Sequence, residues 1–447
     1  MKKSIGILIL AVMLLIASTG CSSTNSSNAT PSTNASTAST ASTASASTGT
    51  STATDTVKDE KVEITLWNYF SQTNHDAFVA MINEYNALPD GKAIIKEQYM
   101  PRADLNNKYT LGAISGELPD IGAVDNSDSA PYSAMGVFVD LTDMFNAWDD
   151  NKYNEAPLNS GKYNGKQYTI PIRSNCLTLW INDDMFKQAG ITEMPATWDD
   201  LKAVCDKLRT AFPNKYPLAF SALKGEEGTF QFVPFLYSAG ATFETLDSPE
   251  GIKALSFTTE LVKKKYASSE VVGWTQNDAE KQFVSGNAAM MINGCWQIPN
   301  IKKDAPDLKY TVVAIPKDKE YKTTLGGENF GITKSCKNVD AAWSFLTWLL
   351  GTDNSIKFNH AVGTLTPHSN VTADQQYPND PVMKVFADSL QNAVQRGPYV
   401  KYSDISLAVQ MAIQESLTNT KAPDAAAKDA AKKIADIVAS EKASSAK

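Results

Sequence analysis

Six short stretches carry side chains that could recognise a ligand or do chemistry. They are Trp67-Asn68-Tyr69-Phe70-Ser71-Gln72, Asp125-Asn126, Arg173 with Asn175, Trp296 within "MINGCWQIPNI", Glu328-Asn329, and Arg396 with Tyr399 in "QRGPYVKY". Each mixes aromatic faces with planar polar groups, a pairing suited to binding. Catalytic signatures are missing from the sequence: no G-x-S-x-G, no H-E-x-x-H and no phosphate-cradling glycine loop. The chain has 3 histidines and 5 cysteines without a C-x-x-C spacing, so neither a metal site nor a cofactor is expected. Carboxylates are plentiful, and a glycosidase pair stays open on sequence alone. Trp296 is ambiguous in its own window. Asn293-Gly294 reads as a chain reversal, and the indole behind it is either a core plug or a platform for a ligand, the window alone favouring the plug.

These stretches need elements to hold them. "KVEITLWNYF" alternates as a strand. "NHDAFVAMINEYNAL" puts Phe78, Met81, Ile82 and Tyr85 on one helical face. A strand "KAIIKEQYM", a helix "DLNNKYTLGAIS" and a buried strand "PDIGAVD" follow. This β-α-β-α-β order predicts a mostly parallel sheet flanked by helices, with ligands at the carboxyl ends of strands, where "WNYFSQ" and "DNSD" lie. "YNGKQYTIPIRSNCLTLWIN" reads as a strand crossing between lobes, and so does "LKYTVVAIP". In "PATWDDLKAVCDKL", Thr197 caps a helix that buries Leu201, Val204, Cys205 and Leu208.

The N-terminus has its own logic. Lys2-Lys3, the apolar "IGILILAVMLLI" and the small residues before Cys21 resemble a bacterial lipoprotein signal, which implies acylation of Cys21 and attachment to the lipid bilayer. Residues 22–56 are Ser, Thr, Ala and Asn with almost no bulk or charge, the composition of a tether spanning about 30–35 Å as a coil. The formal charge of -8 becomes -10 once Lys2 and Lys3 leave with the signal, a poor match for nucleic acid. The compartment implied, outside the cytoplasm, permits disulfides among Cys176, Cys205, Cys295 and Cys336, and no pairing is assigned.

Five pieces in order, "PDIGAVD…GVFVDLT", "GKQYTIPI…LTLWINDDMFKQAGI…PATWDDL", "QFVSGNAAMMINGCW", "LGGENFGITK…AAWSFLTWL" and "GTLTPH", followed by an Ala-rich terminal helix, resemble the family 1 extracellular solute-binding proteins, the maltose-binding-protein-like sugar-capturing subunits of ABC importers. The likeness runs from about Val62 to Val438. It implies a two-lobed periplasmic-binding-protein-like α/β fold, its lobes joined by crossing strands around a ligand cleft. The division expected is 1–20 signal, 21–56 lipidated cysteine and tether, 57–172 with 314–363 as one lobe, and 173–313 with 364–447 as the other. It implies a mono- or oligosaccharide ligand, ABC permease subunits as partners, a monomer, and binding without catalysis. A surface glycoside hydrolase or lyase, or a binder of a non-sugar solute, is the alternative.

The resemblance also gives the stretches roles. Trp296 becomes a platform that stacks on sugar. Asn175 stands where the family's maltose binder has a cleft carboxylate. Arg173 is either a ligand fork or a partner in an ion pair between lobes, and Asp125 with Asn126 is either a ligand pair or a helix cap or Asx-turn. Glu328 and Asn329 follow the glycines of "LGG". Arg396 and Tyr399 lie where the family brings a last loop to the cleft. Trp67, Tyr69, Phe70 and Gln72 line the first loop. Phe230 and Trp274 complete the set, core being the default for both.

Overall fold

In the computed structural model residues 61–445 are described. The signal, Cys21 and the tether lie outside the described residues. The chain opens with strand β1 (Val62–Asn68), helix α1 (Gln72–Ala87), β2 (Ala93–Tyr99), α2 (Arg102–Ser115) and β3 (Ile121–Asp125). α1 buries Phe78, Met81, Ile82 and Tyr85, the face that its period requires. β1 pairs in parallel with both β2 and β3. Two later strands complete this sheet, β4 (Ile170–Pro171) and β9 (Glu328–Ile332), in the order β2-β1-β3-β9-β4. Both of their pairings are antiparallel. The sheet is therefore mixed, where the element order alone predicts a mostly parallel one. The reason is that β9 comes back from the other half of the molecule and enters the sheet at the cleft end, so it runs against β3.

The second sheet has four strands, β5 (Leu177–Asn182), β6 (Tyr216–Ala219), β7 (Ala288–Gly294) and β8 (Tyr310–Val313), in the order β8-β5-β7-β6. Only β6 and β7 run parallel. Helix α3 (Trp198–Ala211) packs on this half. Thr197 and Asp200 close a reciprocal cap, and Leu201, Val204, Cys205 and Leu208 are buried. Helix α4 (Glu226–Ser238) follows β6. Helices α5 (Gln276–Val284) and α6 (Ile298–Asp304) flank β7. Helix α7 (Thr352–Val362) belongs to the first half, which it joins through Phe358. The last helices, α8 (Tyr402–Leu417) and α9 (Pro423–Ser445), pack together. Ala426, Ala427, Ala430 and Ala431 give α9 a small buried face, and its charged residues point outward.

Three segments connect the lobes, and they hydrogen-bond to one another. Ser174 exchanges backbone bonds with Leu365 (2.8 and 3.1 Å), and Asn175 with Gly326 (3.1 and 2.8 Å). Gly327 has φ +142, and a Cβ there would lie 2.2 Å from the Arg173 carbonyl oxygen, so only glycine lets these strands close up. Cys176, Cys205, Cys295 and Cys336 are all free thiols.

Candidate functional site

A cavity of about 430 Å³ opens between the two sheets. Both lobes and the crossing segments supply its walls. Tyr69, Phe70, Gln72, Asp125, Arg173, Asn175, Phe230, Trp296, Glu328 and Arg396, all singled out from the sequence, line it. The volume is in the ordinary range for small-molecule sites.

Charge organises the floor. Arg173 grips Glu328 with two parallel bonds, from Nε to Oε2 and from Nη2 to Oε1 (2.6 Å for the second), so it does form an ion pair. Arg396 is buried and reaches into both lobes. Its Nη2 donates to Asp125 Oδ1 (2.6 Å) at the end of β3 and to Asn126 Oδ1 (2.7 Å), while Nη1 donates to Glu226 Oε1 (2.5 Å) on α4. Arg102, at the start of α2, sets Nη1 3.2 Å from Asp125 and Nη2 2.9 Å from Asp128. Each guanidinium also covers an aromatic ring: Arg173 over Phe70 (4.9 Å), Arg396 over Phe230 (4.7 Å) and Arg102 over Tyr69 (5.7 Å). Burial raises the Asp125 carboxyl, but Arg102, Arg396 and the donors of Ser127 outweigh it and hold its pKa at about 2. Asp125 also closes the expected Asx-turn, accepting from the Ser127 backbone N–H (3.0 Å). Asp128 moves the other way, raised by burial and by the Asp125 and Glu226 charges.

Some polar groups beside the cavity have no partner among the described residues. They are Arg173 Nη1, Tyr69 OH and Asn74 Oδ1. Burial, with Glu328 and Asp125 nearby, raises the Tyr69 phenol, which keeps its proton to donate. A buried polar group left unmet costs about 1–3 kcal/mol, which a ligand can relieve.

Trp296 lines the cavity, half-buried, 6.1 Å from Phe230 between ring centres. Asn293-Gly294 before it is not a reversal. Both residues end β7, and Gly294 is extended (φ -104, ψ 171). The glycine serves the indole instead, because a Cβ at 294 would sit 1.8 Å from Trp296 Cζ3. At the cavity's edge, Asn300 on α6 bonds Gln72 Oε1 (2.8 Å) and Thr73 Oγ1 (2.8 Å) on α1, tying the lobes together.

Five residues picked from the sequence lie elsewhere. Trp67 packs on Tyr109 (5.9 Å) beneath α2. Asn329 is wholly buried, its amide donating to Ser129, Ser160 and Thr169 at 3.0–3.1 Å. Neighbours in a strand face opposite ways, so placing Glu328 in the cavity turns Asn329 away. Trp274 is wedged between two hydrophobic clusters, the default reading for a tryptophan. Tyr399 packs on the second lobe and donates to Glu244 (3.0 Å). Asn126 reaches Arg396 from a small separate cavity on its far side.

Arg102, Glu227, Gln276, Asn277 and Asn300 line the cavity without having been picked out. A signal existed for two of them. Arg102 follows the carboxyl end of β2 and Glu227 follows that of β6, so the strand-end rule covers both. Asn300 had none, since it meets the cavity only through the docking of α6. Among the described residues, no cluster of three or more His, Cys, Asp or Glu could hold a metal, and no helix is long and apolar enough to cross a membrane.

Two α/β lobes on three crossing segments, closing around one cavity, define a solute-binding protein of the two-lobed type. Comparison with known proteins agrees. The family model for bacterial extracellular solute-binding proteins matches residues 80–385, and the chain belongs to that family. It is 25% identical over 378 residues to the maltotriose-binding protein of Pyrococcus abyssi, covering 81% of this chain and 79% of that one. To the multiple sugar-binding protein of Streptococcus mutans it is 24% identical over 358 residues, 74% and 81% of the two chains. An ABC transporter solute-binding protein from Thermotoga lettingae, solved with α-D-tagatose, superposes with a TM-score of 0.78 at 26% identity over 84% of this chain and all of that one.

Proposed function

We propose that this protein captures a carbohydrate, an oligosaccharide by preference, outside the cytoplasm and hands it to the permease of an ABC importer. The observation that carries this reading is the cavity itself. Trp296 offers an aromatic face for the C–H side of a pyranose, with Phe230 packed beside it under Arg396, and planar polar groups from both lobes surround them. The sugars named for the relatives support the same class. Tyr69, Gln72, Asp125, Arg173, Asn175, Glu328 and Arg396 supply the polar contacts. The lobes, 57–172 with 314–363 and 173–313 with 364–447, close on the sugar by bending the crossing segments, and the ligand bonds decide between open and closed forms. A monomer suffices. The signal at 1–20 is removed, Cys21 is acylated, and residues 22–56 let the receptor move near the bilayer.

A thermal-shift screen against neutral oligosaccharides, followed by calorimetry, tests the binding. A ligand at 100-fold its dissociation constant adds about 2.7 kcal/mol of stability. Chromatography of the sugar after long incubation tests the absence of catalysis, and shortened products would place the protein among glycoside hydrolases or lyases.

A further inference from the structure

The charges around the cavity are unequally engaged. Three guanidiniums, Arg102, Arg173 and Arg396, face five carboxylates, Asp125, Asp128, Glu226, Glu227 and Glu328. Every guanidinium already holds a carboxylate with at least two of its nitrogens, or two carboxylates at once, and lies over an aromatic ring. No lysine lines the cavity among the described residues. Glu227 is the exception on the acidic side. It stands in the first turn of α4, lines the cavity, and its Oε2 accepts the Gln276 backbone N–H (2.6 Å) at the start of α5. No cation pairs with it among the described residues. Arg102 is near enough to pull its pKa down, yet burial prevails and the carboxyl is raised. The fork of Arg102 is committed to Asp125 and Asp128.

An acidic sugar brings a carboxylate that needs a free cation. Here every guanidinium is already balanced by carboxylates, so a sugar carboxylate reaching the free Arg173 Nη1 would sit beside Glu328 with no net positive charge to offset it. Full pairing would displace Glu328 from Arg173 or Asp125 from Arg396 and leave a buried charge unpaired. The sugar carboxylate would also meet the Glu227 charge, which is partly buried and so less screened than a surface charge. A neutral sugar has no such conflict. Each hydroxyl gives one proton and accepts others. The unpartnered Arg173 Nη1 and Tyr69 OH supply donors, and Glu227 and Asn74 Oδ1 supply acceptors. We infer that the ligand is an uncharged oligosaccharide, that sugars bearing carboxylates are excluded, and that Glu227 is the residue that enforces the exclusion while accepting the neutral sugar's hydroxyls. This inference rests on the carbohydrate reading above.

The test is calorimetry of the mature protein with maltotriose, mannotriose and arabinotriose on one side and trigalacturonate on the other. At least one neutral trisaccharide should bind, and trigalacturonate should bind at least 100-fold more weakly. Glu227→Gln keeps an oxygen for the Gln276 N–H, so the start of α5 stays capped. It should weaken the neutral sugar about 10-fold with the melting temperature nearly unchanged. Glu227→Lys places an unpaired cation in the cavity and should acquire measurable trigalacturonate binding. Equal or tighter binding of trigalacturonate by the unaltered protein overturns the inference and leaves the carbohydrate reading standing. So does a Glu227→Gln variant with full affinity for the neutral sugar, because Glu227 would then only cap α5. If no sugar of either kind binds, the carbohydrate reading falls and the inference falls with it.

Discussion

At the scale of single residues, Trp296 is either a surface for sugar stacking or part of the core. A platform and a core plug predict opposite outcomes for the same substitution. The indole is half-buried against the second lobe's core and faces the cavity, which fits a platform with a packed back. Trp296→Ala should therefore weaken sugar binding by about 1–3 kcal/mol, the scale of a lost stacking surface. Stability without ligand should fall by less than the ~3–5 kcal/mol typical of a buried tryptophan. Calorimetry and urea melts read the two numbers. Gly294→Ala gives an independent check, since its methyl would collide with the indole ring and push it out of place. It should reproduce the affinity loss with Trp296 intact. Full affinity in Gly294→Ala would show that the ring's position over the strand does not matter to the ligand.

At the scale of elements, α5 and α6 show how a packed pair stores a pH response. Glu280 on α5 is 3% exposed, and its Oε1 has no partner among the described residues. Burial, and after it the Asp304 charge at the end of α6, push its pKa from 4.5 to about 7, with Lys281 pulling the other way. The folded protein therefore keeps a proton that the unfolded chain has lost across that interval. Stability should fall as pH rises from 4.5 to about 7 and level off beyond it. Glu280→Gln should remove this contribution to the slope and be the more stable form above neutral pH. Urea midpoints across the range check it, and an unaltered slope in Glu280→Gln would show that Glu280 does not titrate this way. Elements of this kind were readable in advance. The face of α1 and the cap of α3 follow from spacing and side-chain type alone, because both are local. The sheet's mixed direction and the burial of Asn329 were not, because pairing partners lie far away in sequence.

At the scale of the whole molecule, Arg396 links the lobes through Asp125 on β3 and Glu226 on α4. Among the described residues, removing it leaves Glu226 with the Tyr402 and Ser406 hydroxyls, and Asp125 with Arg102 and Ser127. Arg396→Met should cost about 3–5 kcal/mol, the usual result of breaking a buried pair. The ligand-free variant should also open, with a larger radius of gyration by small-angle scattering. A compact, fully stable variant would show that the pair does not hold the lobes. Cys21→Ser addresses the opposite end of the chain. It should release the protein from membranes and leave the precursor uncleaved, and fractionation with unchanged membrane association would remove the lipoprotein reading.

What the sequence determined by itself is whatever depends on near neighbours and on order along the chain. That includes the helix faces, the strand runs, the cap at Thr197 and the ordered pieces that marked the family before any contact was known. It also reached ten residues of the cavity wall, because loops at strand ends tend to face a cleft. Tertiary structure decided which of two adjacent strand residues faces the cavity, Glu328 over Asn329. It showed that Gly294 makes room for an indole rather than a turn, and that Arg102, Arg173 and Arg396 are bound to carboxylates from distant segments. These are outcomes of packing and electrostatics between groups more than a hundred residues apart in several cases, and no local pattern encodes them.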